Sequence, residues 1–206
     1  YAVAVSEQGE RIDLTGNIDG DRLMLDLDDA RYMLYFFVTT PQATGGRADS
    51  YTNLLVKESV RILLDTVYEA HYARYKEDFG GVFAGFFSDE SSFMSVSRYD
   101  QILGTDGPLP WSVYFTDQFS EKLGRDAILS LPDLFADMGE STMPVRYAYM
   151  DLISELYREN MSRQVGDWCA QHGVEYIGHV IEDNNAHARI GYGAGHFFRA
   201  LDGQSM

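Results

Sequence analysis

Up to about residue 40 the apolar residues come in short runs broken by turn formers, at 2–5, 11–15, 22–27 and 31–39. Runs of this length, rich in Val, Ile, Tyr and Phe, predict strands. Between the second and third, Asn17-Ile18-Asp19-Gly20-Asp21 reads as a hairpin turn, because Gly20 takes a positive φ at no steric cost. A small antiparallel sheet is the expected product. The stretch Thr40-Pro41-Gln42-Ala43-Thr44-Gly45-Gly46 then breaks the pattern as a loop or boundary.

Beyond it the apolar spacing becomes helical. Val60, Leu63, Leu64, Val67, Tyr68, His71 and Tyr72 follow one another at the three- and four-residue steps that share a helix face, and Gly80-Gly81 closes the pattern. The glycines lead straight into GVFAGFFSDE (81–90), an apolar run that ends on two carboxylates. A Pro loop (107–111) follows, then helical stretches near 116–123 and 126–137, and a long helix over about 145–171 closed by Gly173. Its inward candidates include Tyr149, Leu152, Leu156, Trp168 and Cys169. VEYIGHVI (174–181) is a second apolar run, and it too ends on carboxylates, Glu182 and Asp183.

Helices alternating with continuously apolar strands predict parallel β/α units, because a strand covered on both faces shows no alternation. In such folds sites are built at the C-terminal ends of strands. Both carboxylate pairs are expected at that edge. The chain therefore divides into a small β-rich region, 1–45, and a β/α segment, 46–206.

Composition narrows the function. A chain of 206 residues, 45% hydrophobic and 14% aromatic, buries a sizeable core. Its 32 Asp and Glu against 16 Lys and Arg give a formal charge of −16, which repels phosphate backbones and anionic lipid. Neither nucleic acid nor a membrane surface is expected as a partner, and no apolar run reaches bilayer length. The lone Cys169 forms no internal disulfide and reads as a small buried hydrophobe. Beginning at Tyr1 without an initiator Met, the chain reads as an excised segment, and its compartment, cytoplasmic or secreted, stays open.

Glu90 is the first candidate for chemistry. A carboxyl just past an apolar strand, near Phe86, Phe87 and Phe93, is expected to be partly desolvated, which raises its pKa and suits it to general-acid work. Asp89 points the other way in an extended segment, toward the site or as a cap for the next element. Glu182 repeats the placement on the second strand, with His179 before it. Two carboxyls flanking a scissile bond are the requirement of glycoside hydrolysis. Trp111 reads equally as a sugar-stacking platform or a loop plug. His179, Glu182, Asp183, His187 and His196 also admit a metal reading, but their spacing matches no zinc motif, and Ca²⁺ on the carboxylates fits better. His71 and His172 read as structural. Gly191-Tyr192-Gly193-Ala194-Gly195 lacks the preceding strand of a nucleotide loop.

GFFSDE (85–90), PW (110–111), LPDLFADMGE (131–140), VRYAYMDLISELYREN (145–160), GDWCAQHG (166–173) and GHVIED (178–183) together resemble a known family. They are similar to the catalytic region of large bacterial α-L-rhamnosidase-like glycoside hydrolases of family 106 and their relatives, found especially in gut bacteria. The resemblance spans most of residues 50–206. It implies a (β/α)8 TIM barrel with residues 1–40 as an irregular β insertion, and a terminal rhamnose-like sugar of plant-type polysaccharide as substrate. Glu90 would be the general acid after the fourth strand, and Glu182 an active-centre glutamate acting as second carboxylate or Ca²⁺ ligand. His179 would line the same pocket.

The family commonly reads Asp-Glu-Pro where this chain has Asp89-Glu90-Ser91, which makes the turn less rigid. The segment also stops at Met206, before the later strands of a barrel. A partial barrel, inactive on its own and able to dimerise through exposed sheet edges, is therefore expected. The alternative function is a non-catalytic carbohydrate-binding module, a decayed barrel that kept its aromatics. A metallohydrolase on His179, Glu182 and His187 is a third.

Overall fold

The computed structural model describes residues 1–26, 30–40, 51–91, 93, 103–104, 107–180 and 195–205. It mixes helices and strands, in keeping with an α/β class. Two compact units emerge. The first takes 1–40, 103–106 and 113–149, and the second 41–102, 107–112 and 150–206. The sequence reading separated 1–45 from 46–206, whereas spatial proximity also groups 113–149 with the N-terminal strands.

In the first unit, β1 (Ala2–Ser6) lies between β2 (Arg11–Asp13) and β5 (Tyr32–Phe36), antiparallel to both. All five β1 residues are buried, so this strand is central in burial as well as in order. The expected hairpin forms between β3 (Ile18–Asp19) and β4 (Arg22–Leu23), with Gly20 at φ 60°. Alongside stand α3 (Phe115–Leu123) and α4 (Leu131–Phe135), where Phe115 and Phe119 pack on Tyr149 at centroid distances of 5.4 and 5.9 Å. Gly124, at φ 65°, terminates α3 in the left-handed cap that glycine favours. The Arg146 guanidinium donates to the Asp133 and Ala136 carbonyls at 2.8 and 2.9 Å, satisfying acceptors that the end of α4 leaves without helical partners.

The second unit is two helical rods and a pair of strands. The first rod runs through α1 (Lys57–Leu63), a π turn at Leu64–Tyr68 and α2 (Glu69–Tyr75). The second takes α5 (Thr142–Tyr157) from residue 150 onward and continues through a π turn at Arg158–Arg163 into α6 (Gln164–Gln171). The wider π turn changes which side chains face inward. Val60, Leu64 and Tyr68 are buried, while Val67 is 39% exposed and His71 is exposed, although even helical spacing puts all five on one face. His172, in contrast, stacks on Trp168 at 3.8 Å and bonds the Trp168 carbonyl through Nδ1 at 2.7 Å, a structural role as expected.

The strands β6 (Gly85–Ser88) and β7 (Glu175–Gly178) pair in parallel, Gly85 opposite Glu175 and Ser88 opposite Gly178. Both are shorter than their apolar runs. Residues 79–84 are used by a tight turn in which the Asp78 carbonyl accepts from Gly81 and Phe83 at 3.1 and 2.9 Å. Phe86 faces the helices, stacked on Tyr68 at 4.0 Å, and Tyr176 is buried on the same side. Phe87 and Ile177 alternate to the other face and are 55% and 43% exposed. Cys169 is fully buried in this core, where burial pushes its thiol pKa up to about 12. No helix of the described residues is long and apolar enough to cross a membrane.

Candidate functional site at the strand ends

The parallel register brings the C-terminal ends of β6 and β7 side by side. Asp89 and Glu90 leave one strand where His179 leaves the other, and the ladder continues one rung further as the His179 amide donates to the Ser88 carbonyl at 3.0 Å. The His179 Nδ1 lies 3.7 Å from the Asp89 Oδ1, and the imidazole meets the edge of Phe87 at 5.3 Å. Both polar side chains are largely exposed, so protonation of the imidazole creates a solvated ion pair of modest strength.

Close approach of the two backbones depends on glycine at each end of the ladder. A Cβ on Gly85 would stand 2.1 Å from the Glu175 carbonyl oxygen, and one on Gly178 would stand 2.2 Å from that of Ser88. Neither separation is sterically possible for a side chain.

Glu90 itself has φ +47°, the sole positive φ of a non-glycine residue among those described. The left-handed region costs an L-residue roughly 1–2 kcal/mol, so contacts on both sides must hold it there. Before it, the Ser88 hydroxyl bonds the Tyr176 hydroxyl at 2.8 Å. After it, the Ser91 carbonyl accepts from the Tyr157 hydroxyl at 3.3 Å, and Phe93 sets its ring edge-on to Tyr157 at 5.7 Å. Tyr157 and Tyr176 are buried, and burial raises the pKa of both hydroxyls.

The expectation of a desolvated Glu90 is corrected by this geometry. Phe86 is spent on Tyr68 and Phe93 on Tyr157, and the left-handed turn leaves the Glu90 side chain exposed. Trp111 is half-buried, and its carbonyl accepts from Asn53 Nδ2 at 3.0 Å in the approach to α1. Among the expected site residues, Asp89, Glu90 and His179 are thus brought together at one edge. Glu182 lies outside the described residues, as do Asp183 and His187. His196 starts α7 (Phe197–Ala200), its Nδ1 accepting the Arg199 amide at 3.3 Å.

Among the described residues, no three His, Cys, Asp or Glu side chains gather in the manner of a metal site. The holding residues Ser88, Tyr157 and Tyr176 were missed by sequence reasoning. Tyr157 shares the apolar stripe of its helix with ordinary core residues, and its only distinguishing signal is that its hydroxyl must find a buried partner. Compared with protein-family models, with curated proteins and with solved structures, the chain gives no match.

Proposed function

We propose that the chain is the catalytic-region segment of a glycoside hydrolase that removes terminal rhamnose-like sugars from plant-type polysaccharide, on a (β/α)8 frame of which β6 and β7 are two adjacent strands. The observation that carries this reading is the parallel, in-register pairing of β6 with β7, which sets Asp89, Glu90 and His179 at one C-terminal edge. That edge is where β/α folds assemble their sites.

In this reading Glu90 is the general acid. Its carboxyl proton passes to the glycosidic oxygen as the bond from that oxygen to the anomeric carbon breaks, and the leaving alcohol departs neutral. Glu182 supplies the second carboxylate, which either attacks the anomeric carbon or activates water against it. Asp89 and His179 contact sugar hydroxyls beside the acid, and Trp111 offers an aromatic face. Glu182 is the residue that would hold a Ca²⁺ ion, which would supply a hard Lewis acid for sugar hydroxyls.

The test is hydrolysis of a panel of aryl glycosides, led by α-L-rhamnoside, by the intact polypeptide that carries this sequence and by its Glu90→Gln variant. Turnover in the parent with loss of about 10²–10⁴-fold in the variant supports the reading. A second reading, a carbohydrate-binding module without chemistry, draws on the exposed Phe87, His179 and Glu90. Sugar binding with no turnover on any glycoside selects it.

A further inference from the structure

We propose that Tyr157 is a positioning residue for Glu90, locking the turn that presents this carboxyl at the strand end. The inference deepens the reading of Glu90 as proton donor and rests on it. Independent observations on both sides of Glu90 converge on the turn. Glu90 occupies the left-handed region, where a side chain with a Cβ is disfavoured. On its N-terminal side the chain is fixed twice at Ser88, through the carbonyl to the His179 amide at 3.0 Å and through the hydroxyl to Tyr176 at 2.8 Å.

On its C-terminal side the hydrogen bond from Tyr157 to the Ser91 carbonyl fixes it, and the Phe93 ring rests against the same tyrosine. Tyr157 is itself immobilised, 3% exposed in the core at the point where α5 passes into the π turn Arg158–Arg163. Glu90 is therefore spanned by two buried tyrosine hydroxyls, one on β7 and one on the helical rod. Without the second anchor the turn relaxes toward the ordinary β or αR regions and the carboxyl leaves its place. A displacement of about 1 Å at a reacting group costs up to about 10²-fold in rate.

Tyr157→Phe removes the hydroxyl and keeps the ring that packs on Phe93. Amide hydrogen exchange at 89–93 is expected to accelerate about tenfold, the loss of one hydrogen bond, while exchange in α1 and α6 is unchanged. In the intact polypeptide kcat on a glycoside with a poor leaving group falls at least tenfold with KM nearly constant, and a glycoside whose leaving group needs no proton is spared. Ser88→Ala, which loosens the other side of the turn, gives the same pattern and serves if Tyr157→Phe folds poorly.

Unchanged exchange at 89–93 overturns the proposal whatever the activity. Faster exchange with unchanged kcat overturns the positioning role. Absence of turnover in the parent protein strikes instead at the reading of Glu90 as an acid, which keeps the two failures distinct.

Discussion

Arg11 on β2 and Asp133 on α4 form a half-buried ion pair across 122 residues of sequence, with the guanidinium donating to both carboxylate oxygens. Asp133 has no exposed side-chain surface, and Ser141 completes its coordination by donating at 2.6 Å. The Arg11 guanidinium reaches the Leu129 carbonyl at 2.8 Å as well. This network fastens the stretch 113–149 to the N-terminal sheet and accounts for their grouping in one unit.

Removing one partner strands the other charge. Asp133→Ala is expected to destabilise the first unit by up to about 3–5 kcal/mol in urea unfolding, because the half-buried guanidinium keeps much of its desolvation cost and loses its counter-charge. Replacing Arg11 and Asp133 together by Leu or Met of similar volume costs clearly less than the single change. Equal losses in the two variants would contradict this account of the pair.

The β6–β7 ladder makes a similar demand on shape. Gly85→Ala and Gly178→Ala each place a methyl about 2 Å from a facing carbonyl oxygen, inside any contact distance. Overpacking of this kind costs about 1–3 kcal/mol, and a lower thermal midpoint for both variants is the expected outcome. Gly124→Ala, where nothing lies within 4 Å of the added carbon, is penalised only through its positive φ of 65° and serves as the comparison.

Glu90 offers the reverse case. Glycine relieves the left-handed backbone strain, so Glu90→Gly is expected to hold or raise stability by up to about 1 kcal/mol after glycine's greater unfolded-state entropy is set against the roughly 1–2 kcal/mol of relief. Glu90→Gln leaves the strain in place and is neutral in stability. A Glu90→Gly protein markedly less stable than the Gln variant would show that the turn is not strained.

Much of this organisation was legible in the sequence, and the exceptions have physical causes. Short β-prone runs broken by turn formers marked the small sheet, and the strand β1, apolar from Ala2 through Val5, proved its centre. Gly20 announced its hairpin, since the turn needs the one residue free of the φ penalty. The two helical rods were readable from their stripes, but not the π turns within them, because insertion of a residue into a turn leaves no mark on composition. His71 was misassigned to the buried face for that reason. Asp89, Glu90 and His179 were expected at one strand edge, and the parallel ladder brings them there. The tyrosines that hold the turn were not, since a hydroxyl on an apolar stripe reveals its partner only in three dimensions.

Burial of ionisable groups in the second core gives an expected pH dependence. Burial raises the pKa of Tyr68, Tyr157, Tyr176 and Cys169, the thiol to about 12 from an ordinary value of 9.0. Each group is held protonated in the folded state while the unfolded chain releases its proton earlier, so stability is complete below about pH 9 and falls as pH rises from there through 12. Alkaline unfolding followed by tyrosinate absorbance is expected to be cooperative, and native Cys169 to resist thiol reagents at neutral pH. Titration of these tyrosines in the folded protein near their ordinary pKa would contradict the burial.

Under the proposed function, Glu90 donates a proton to a departing glycosidic oxygen. The most direct measurement compares Glu90→Gln with the parent, in the intact polypeptide, on two aryl glycosides that differ in whether the leaving group needs that proton. A loss of about 10²–10⁴-fold on the poor leaving group, with near-parent rates of bond cleavage on the activated one, is the expected result. Equal rates for variant and parent on the poor leaving group would contradict it.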